Sequence, residues 1–289
     1  MTEHGSGRLA GAGGLELFWR WWRPDTAAPT ALVVLVHGLG EHSGRYEHVA
    51  QRLVDAGCAV HALDHRGHGH SQGARALIDR VAHAVSDIDG LVDAALAHER
   101  APELPVLMVA HSMGAMLALR YALDHQQRLD GLALSGALAS VDASPPLRLI
   151  GHALSAVAPT LPLIAIDSSL VSRDPAVVAD YRADPLVHHG RIPARTAAEI
   201  ADTTDAFPEQ VPAITVPTLI MYGTEDRVCP TSGSVMLGER IGAAKATVLA
   251  YDGLYHEIFN EPERETVLDG LWSWLAARIA AAGRQPAAG

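Results

Sequence analysis

Ser112 is the residue of this chain best placed to act as a nucleophile. It lies between Val106–Val109, an apolar run that predicts a buried parallel strand, and Met113–Leu123, an Ala-, Leu- and Met-rich run that predicts a buried helix. The pentapeptide AHSMG joins them and fits the strand–turn–helix motif G-x-S-x-G, with Ala110 in the first position. Such a turn points the serine hydroxyl towards a helix N-terminus, whose free N–H groups can hold negative charge.

A second serine, Ser135, lies in a near match to the same motif, ALSGA at 133–137. No helical run follows Ser135, whereas one follows Ser112 at once. The pattern therefore favours Ser112 as the nucleophile.

Two later loops offer the groups that would activate a serine. A serine hydroxyl is a poor nucleophile at neutral pH and needs a base, which in turn needs an acid to orient it. The predicted strand Thr218–Tyr222 is followed by GTEDRVCP, with Glu225 and Asp226, and the predicted strand Thr247–Tyr251 is followed by DGLYHE, with His256. A solvated loop carboxylate and a surface histidine are the alternatives. Agreement among three independent placements favours a catalytic triad.

Two backbone amides are candidates for an oxyanion hole. The N–H of Met113 follows the nucleophile directly, and the N–H of Leu39 lies in the HGLG loop after the predicted strand Ala31–Val36. Glycines in that loop would let the backbone approach a substrate. An ordinary glycine turn is the alternative.

The elements that would position these residues alternate between strand and helix along most of the chain. This order predicts an α/β fold with a mostly parallel central sheet and helices on both faces. The predicted strands are Leu15–Arg23 (antiparallel), Ala31–Val36, Ala59–Leu63, Val106–Val109, Leu129–Ser135, Thr218–Tyr222 and Thr247–Tyr251. The predicted helices of this part are Glu47–Ala56, His83–His98, Met113–Leu123, Ser232–Ile241 and Glu261–Ala280.

The alternation breaks between Ala139 and Pro217, where prolines recur and a central strand would not tolerate them. Short helices fit instead, at Leu147–Val157, Pro175–Ala183 and Ala194–Thr203. We therefore predict a helical cap over residues 139–212, inserted between two parts of one core, 1–138 and 213–289.

Composition excludes several classes of function. The 289 residues are 48% hydrophobic and 19% charged, as in a soluble globular protein, and the net charge of −11 argues against nucleic acid as a partner. Cys58 and Cys229 are too few for a disulfide framework, which favours a reducing, cytoplasmic compartment. The N-terminal stretch lacks the apolar core of a signal peptide, and no run reaches the length of a membrane span.

Several motifs together resemble the monoacylglycerol lipases of the α/β-hydrolase superfamily. They are HGLGEHSGRY, DHRGHGHS, AHSMG, GTEDRVCP and YHE, and the stretch SRDPAVVADYRADPLVHHGRIPA resembles the cap of actinobacterial members. The likeness runs from about Leu15 to Leu275. It implies hydrolysis of a monoacylglycerol or a similar ester by the triad Ser112, Asp226 and His256, without metal or organic cofactor.

The same resemblance implies that Leu39 and Met113 form the oxyanion hole, and that Glu41 and Arg45 lie near the glycerol head group. An ion pair that holds the oxyanion loop is the alternative for Glu41 and Arg45. Two positions depart from the family pattern. Ala110 replaces the usual glycine before the nucleophile, and Phe259 stands where animal members carry a histidine near the glycerol.

The cap is expected to act as a mobile lid that admits the acyl chain. Leu161 and Ile164, in an apolar stretch broken by prolines, are the predicted acyl-binding residues, and an exposed apolar edge would allow transient contact with a membrane or lipid droplet. Lysophospholipase, carboxylesterase or thioesterase activity and a non-catalytic ligand receptor are the alternatives. The oligomeric state and the roles of His65, His68, His70, His188 and His189 stay open; a metal site there is less expected than structural histidines.

Overall fold

A computed structural model describes residues 2–25, 28–142, 144–242 and 246–283 of the chain. Its centre is an eight-stranded sheet in the order β1-β2-β4-β3-β5-β6-β9-β10. These strands are β1 (Thr2–Ala10), β2 (Glu16–Pro24), β3 (Leu32–Val36), β4 (Ala59–Leu63), β5 (Val106–His111), β6 (Gly131–Ser135), β9 (Thr218–Gly223) and β10 (Ala246–Tyr251). From β4 to β10 every neighbouring pair is parallel, so the loops after β3, β5, β9 and β10 meet at one edge. The predicted mostly parallel sheet is confirmed.

Helices cover both faces of the sheet, and its central strands are therefore buried on both sides. The helices of the core are α1 (Glu47–Asp55), α2 (Val81–Glu99), α3 (Met113–His125), α7 (Thr231–Arg240) and α8 (Arg264–Ala282). The apolar residues of α2 and α3 form one core cluster with one face of the sheet, and those of α1 and α8 form another with the opposite face. The result is a three-layer α/β sandwich. None of the helices in the described ranges is long and apolar enough to cross a membrane.

The first two strands form an antiparallel hairpin at one edge of the sheet. The sequence analysis predicted the second strand, whose residues Leu17 and Trp19 are buried against the core. It missed the first strand, Thr2–Ala10, since two glycines, Gly5 and Gly7, lower its strand propensity. In the register of the hairpin, Gly5 lies opposite Trp21 and Gly7 opposite Trp19.

The segment between β6 and β9 lies over the carboxyl edge of the sheet. It contains α4 (Pro145–Val157), β7 (Pro162–Ile164), α5 (Pro175–Ala183), β8 (Ile192–Pro193) and α6 (Ala194–Gln210). The three helices were predicted, α6 as far as Thr203 only. The prediction of helices alone missed the pair β7–β8, an isolated two-stranded sheet in which Pro162 lies opposite Pro193. Proline is tolerated there because an edge position demands no ladder hydrogen bond from its nitrogen.

Candidate active site

Ser112 occupies the sharp turn between β5 and α3. Its backbone is at φ 56° and ψ −122°, a region that residues with side chains rarely adopt and that is found at functional sites. The turn packs closely against β3: a Cβ at Gly114 would lie 2.3 Å from the Val36 carbonyl oxygen, so only glycine fits. Ala110, the departure from the motif, is buried in the last part of β5.

Ser112, His256 and Asp226 form a continuous hydrogen-bonded chain, although 144 residues separate the serine from the histidine. The distance from Ser112 Oγ to His256 Nε2 is 2.9 Å, and His256 Nδ1 lies 2.7 Å from Asp226 Oδ2. Asp226 Oδ1 also accepts hydrogen bonds from the backbone N–H groups of Val228 and Cys229, each at 2.9 Å. The carboxylate thus holds Nδ1 protonated and leaves Nε2 free to accept the serine proton.

The electrostatics of this chain suit a general base. Burial alone would lower the pKa of His256, but the hydrogen bond and the charge of Asp226, aided by Glu257 and Glu41, outweigh it and raise the pKa. Burial alone would raise the pKa of Asp226, yet its bonds to His256 and to the backbone amides lower it. Asp226 therefore stays ionised beside an imidazole that can take a proton.

The two rival residues from the sequence analysis lie elsewhere. Glu225 faces the surface, where its carboxylate lies 3.2 Å from Arg227. Ser135 is buried at the end of β6, with its hydroxyl 3.2 Å from His111 Nδ1. Neither residue belongs to the hydrogen-bonded chain.

Leu39 lies in the loop after β3 and lines the same cavity as Ser112, and Met113 follows the serine directly at the start of α3. Met113 is the first residue of its helix, where an amide has no carbonyl partner within the helix. The preceding residue of the other loop, Gly38, donates its N–H to Glu41 Oε1 at 2.6 Å, which fixes the loop that carries Leu39. The N–H groups of Leu39 and Met113 stay the candidates for an oxyanion hole.

Glu41 and Arg45 belong to a buried ionic cluster behind the loop. Arg45 donates to Glu41 Oε2 and forms a two-pronged pair with Glu257, all at 2.7 Å. Glu41 Oε1 also accepts from the Tyr46 hydroxyl at 2.6 Å. The sequence analysis missed Glu257, since 212 residues separate it from Arg45 and no local pattern marks the pair.

A cavity of about 420 Å³ opens above Ser112 and His256. Its other lining residues are mainly apolar and come from the core and from the segment 139–212; they include Leu138, Val141, Ile164, Ile166, Leu170, Val171, Ile192 and Ile200. Ile164, one of the two predicted acyl-binding residues, is thus among the residues that line the cavity. Leu161 is not among the described residues that line the cavity, and its side chain is partly exposed. Glu41 lines the cavity, whereas Arg45 borders a separate, smaller one.

The histidines left open by the sequence take structural positions. His65 and His68 are buried with His37, and burial, the largest cause, together with neighbouring histidines lowers the pKa of His65 to about 3 and, less strongly, that of His68 to about 4. His188 donates its backbone N–H to the Gly40 carbonyl at 2.7 Å. The remaining two, His70 and His189, lie beside Phe18 and Tyr181 respectively.

One group in the described ranges has donors close enough together for a metal, His61, His98 and Glu99. It lies away from Ser112, on β4 and at the end of α2. Arg23 already places a cation 3.6 Å from Glu99 Oε2, and the ring of His61 stacks on Trp19. This cluster is accounted for as a charge-balanced polar group in the core.

A serine–histidine–aspartate chain at the carboxyl edge of a mostly parallel sheet defines a serine hydrolase with the α/β-hydrolase fold. Residues 27–263 match the model of the Hydrolase_4 family, described as "Serine aminopeptidase, S33", and the chain belongs to this family. It is an enzyme, a serine hydrolase.

Relatives and solved structures narrow the class. The chain is 40% identical over 280 residues to a monoacylglycerol lipase of Mycolicibacterium smegmatis, covering 96% of this chain and 98% of the relative. It is 34% identical to the human monoglyceride lipase, covering 95% and 91%. The crystal structure of Paleococcus ferrophilus monoacylglycerol lipase superposes with a TM-score of 0.79 at 29% identity, covering 96% and 99%. The resemblance to monoacylglycerol lipases inferred from the motifs is confirmed.

Proposed function

We propose that this protein hydrolyses monoacylglycerols to a fatty acid and glycerol, through an acyl-enzyme on Ser112. The observation that carries the proposal is the hydrogen-bonded chain from Asp226 to Ser112, which opens directly into an apolar cavity. The similarity to monoacylglycerol lipases over nearly the whole chain supports the substrate class.

Acylation begins when His256 Nε2 takes the proton of the Ser112 hydroxyl and the serine oxygen attacks the ester carbonyl carbon. The carbonyl oxygen becomes an oxyanion, which the N–H groups of Leu39 and Met113 stabilise. Asp226 stabilises the imidazolium that has formed. The imidazolium then donates its proton to the glycerol oxygen as the ester C–O bond breaks.

Deacylation repeats the steps with water as the nucleophile. Nε2 of His256 takes a proton from water, the hydroxide attacks the acyl carbon, and the same two amides hold the second oxyanion. The proton returns to Ser112 Oγ as the fatty acid leaves. In this scheme, every group that transfers a proton to or from the substrate, and every group that stabilises the oxyanion, belongs to the chain or to water.

The acyl chain would lie among the apolar residues that the segment 139–212 contributes to the cavity. Ile164, Ile166, Leu170 and Val171 are among these residues. Each buried methylene of the substrate contributes roughly 0.8 kcal/mol to binding. The glycerol would lie at the polar end, where Glu41 lines the wall and Arg45 fixes Glu41 from behind. Leu161 remains a proposed contact at the entrance.

We further infer that this segment acts as a lid and meets dispersed lipid directly. Helix α4 turns its apolar side outward: Leu147, Leu149, Ile150 and Val157 are exposed, whereas Ser155 is buried. Exposed apolar side chains on one helix face are typical of a surface that contacts lipid or protein. A peripheral, cytoplasmic enzyme is the setting that this surface and the free cysteines Cys58 and Cys229 favour.

Turnover on a panel of esters tests the proposal. The panel contains monoacylglycerols of graded chain length, a lysophospholipid, a short acyl thioester and a short nitrophenyl ester, each measured with the Ser112→Ala variant as the blank. We expect the highest kcat/KM on a monoacylglycerol. Higher kcat/KM on the lysophospholipid or thioester would replace the proposed substrate, and no Ser112-dependent turnover of any ester would contradict it.

A further inference from the structure

The guanidinium of Arg45 lies between two buried carboxylates that come from opposite ends of the sequence. Glu41 belongs to the loop after β3, and Glu257 follows the catalytic histidine candidate directly. Burial alone would lower the pKa of Arg45, but the two carboxylates outweigh it and raise the pKa well above its usual value. Arg45 likewise holds the pKa of Glu257 below its usual value, against the effect of burial. Arg45 and Glu257 are therefore charged, and Glu41 is the second carboxylate paired with Arg45, at 2.7 Å.

Each carboxylate ties the cluster to a different part of the site. Glu41 Oε1 holds the N–H of Gly38 in the loop that carries Leu39. Glu257 Oε2 accepts a hydrogen bond from Asn260 Nδ2 at 2.8 Å, and the Glu257 backbone N–H donates to the Val171 carbonyl at 2.8 Å. The cluster thus connects the oxyanion loop, the histidine loop and the lid segment.

Tyr181 of α5 adds a further contact between the lid segment and Arg45. The guanidinium carbon lies 4.7 Å from the centre of the Tyr181 ring, the arrangement of a cation–π interaction. Arg45 therefore contacts the oxyanion loop through Glu41, the histidine loop through Glu257 and the lid segment through Tyr181.

The charges of the cluster do not cancel. One guanidinium and two carboxylates leave a net charge of −1 in the interior, beside His256. His256 also contacts Asp226, which is ionised, as well as Ser112 and His111, and Cys229 lies beside the Ser112 hydroxyl. Burial, and His256 itself, lower the pKa of His111 to about 4, and burial raises the pKa of the Cys229 thiol, so both are neutral at pH 7. The excess negative charge near the imidazole therefore comes from Asp226 and this cluster.

We propose that Glu257 is a positioning residue for the reaction. Its carboxylate fixes Arg45 between the oxyanion loop and the histidine loop, and its buried negative charge stabilises the imidazolium that forms on His256 in each transition state. The inference rests on the proposed role of His256 as the base. It assigns to Glu257 an electrostatic part in catalysis beyond the mechanical one.

The charge-neutral variant Glu257→Gln separates the two parts of this role. The pH profile of kcat/KM on a short nitrophenyl ester should move its acidic limb down by roughly half to one pH unit, because the imidazolium loses a neighbouring negative charge. The plateau of kcat should fall on the order of tenfold, with little change in KM. A purely mechanical role would lower kcat and leave the acidic limb in place, and that result would overturn the proposal.

The double variant Arg45→Gln/Glu257→Gln provides a second test, and it applies even where the single variant does not fold. Removal of both charges leaves Glu41 alone, so the net charge returns to −1 and the acidic limb should return towards its wild-type position. If the acidic limb of the double variant stays at the position found for Glu257→Gln, the electrostatic role is contradicted. If only the double variant folds, a limb shifted from the wild-type position by roughly half to one pH unit contradicts it as well.

Glu261→Gln is the matched control. Glu261 lies close to Glu257 in the sequence and is likewise a buried glutamate paired with an arginine, Arg173. Its acidic limb should coincide with wild type. A fluorophosphonate probe that labels wild type at Ser112 keeps this test independent of the proposed function: failure to label would remove the triad assignment, whereas labelling without a limb shift removes only the role of Glu257.

Discussion

The hydroxyl of Ser112 lies 2.9 Å from Nε2 of His256 and 3.9 Å from the Cys229 sulfur. The nitrogen is the base that can take its proton, whereas the thiol is neutral and supplies no charge. Ser112→Ala should abolish labelling by a fluorophosphonate probe and reduce turnover on the order of 10⁴-fold. Ser135→Ala, which removes the other candidate hydroxyl, should label at one equivalent. An adduct on Ser135 would refute the assignment.

Asp226 and Glu225 are adjacent in sequence but face different surroundings. Asp226 accepts three hydrogen bonds, including the one from His256, while Glu225 pairs with Arg227 at the surface. Asp226→Asn should lose activity by several orders of magnitude, because the imidazolium loses its partner and the tautomer of His256 is no longer fixed. Glu225→Gln should stay within about twofold. Steady-state kinetics on a soluble ester compare the two, and equal losses would contradict the assignment.

Glu41 lines the cavity, yet its carboxylate is already engaged by Gly38, Tyr46 and Arg45. These contacts favour the interpretation that Glu41 holds the oxyanion loop over one in which it binds glycerol directly. Glu41→Gln should therefore reduce kcat on a nitrophenyl ester and on a monoacylglycerol by similar factors, on the order of tenfold or more. A rise in KM confined to the monoacylglycerol would instead assign Glu41 to the head group.

The elements over the carboxyl edge of the sheet differ from the core in how they are packed. The side chains of Leu161 and Ile164 are partly exposed and apolar, and that of Ile164 lines the cavity. Replacement of both by serine should cut kcat/KM on a long-chain monoacylglycerol at least tenfold and leave hydrolysis of a short soluble ester nearly unchanged, since the loss is one of acyl-chain contact.

Leu147→Ser/Ile150→Ser is the matched control, because these exposed residues of α4 are outside the lining that the described residues give the cavity. This pair should retain turnover of monomeric substrate and lose activity only on dispersed lipid. Parallel losses on both substrates in the Leu161/Ile164 variant would exclude acyl recognition by these residues.

The core elements could be predicted because their signals are local. Continuous apolar runs mark β3, β4 and β5, and the Ala- and Leu-rich run after Ser112 marks α3, since a parallel sheet buries both faces of its strands. The prediction of the triad used the order of residues after these strands, and the three side chains lie in one hydrogen-bonded chain. The strands β1 and β7 have no such local signal: cross-strand partners stabilise them, and local propensity does not. The Arg45–Glu257 pair has no local signal either, because 212 residues separate its two members.

Five buried histidines with a lowered pKa give the whole molecule a pH-dependent stability, and His61 acts in the same direction as the other four. Burial lowers the pKa of His65 to about 3 and of His68 and His111 to about 4, and it lowers the pKa of His37 well below its usual value. The unfolded chain takes up protons at these residues near pH 6.5, whereas the folded chain does not. The free energy of unfolding should therefore fall as the pH drops from about 6.5 towards 4, with a slope of up to about 1.4 kcal/mol per pH unit for each histidine.

Urea unfolding at pH 7, 6 and 5 measures this slope. His68→Gln removes one of the five groups and should reduce the slope by about one proton, because an amide at this position has no proton to gain. His4→Gln, at an exposed position of β1, should leave the slope unchanged. A stability that is flat between pH 7 and 5 would contradict the prediction.

The hairpin at the edge of the sheet determines which residues its first strand accepts. A methyl group at Gly5 would lie 2.6 Å from the Trp21 ring, and one at Gly7 would lie 2.7 Å from the Trp19 ring. The two indole rings therefore cover the backbone of β1 at its glycines and shield the hydrogen bonds of this backbone from water. Aromatic side chains opposite glycine do the same in other sheets. The first strand is therefore part of the packing of two tryptophans, and its removal would expose to water the side of each ring that the glycines cover.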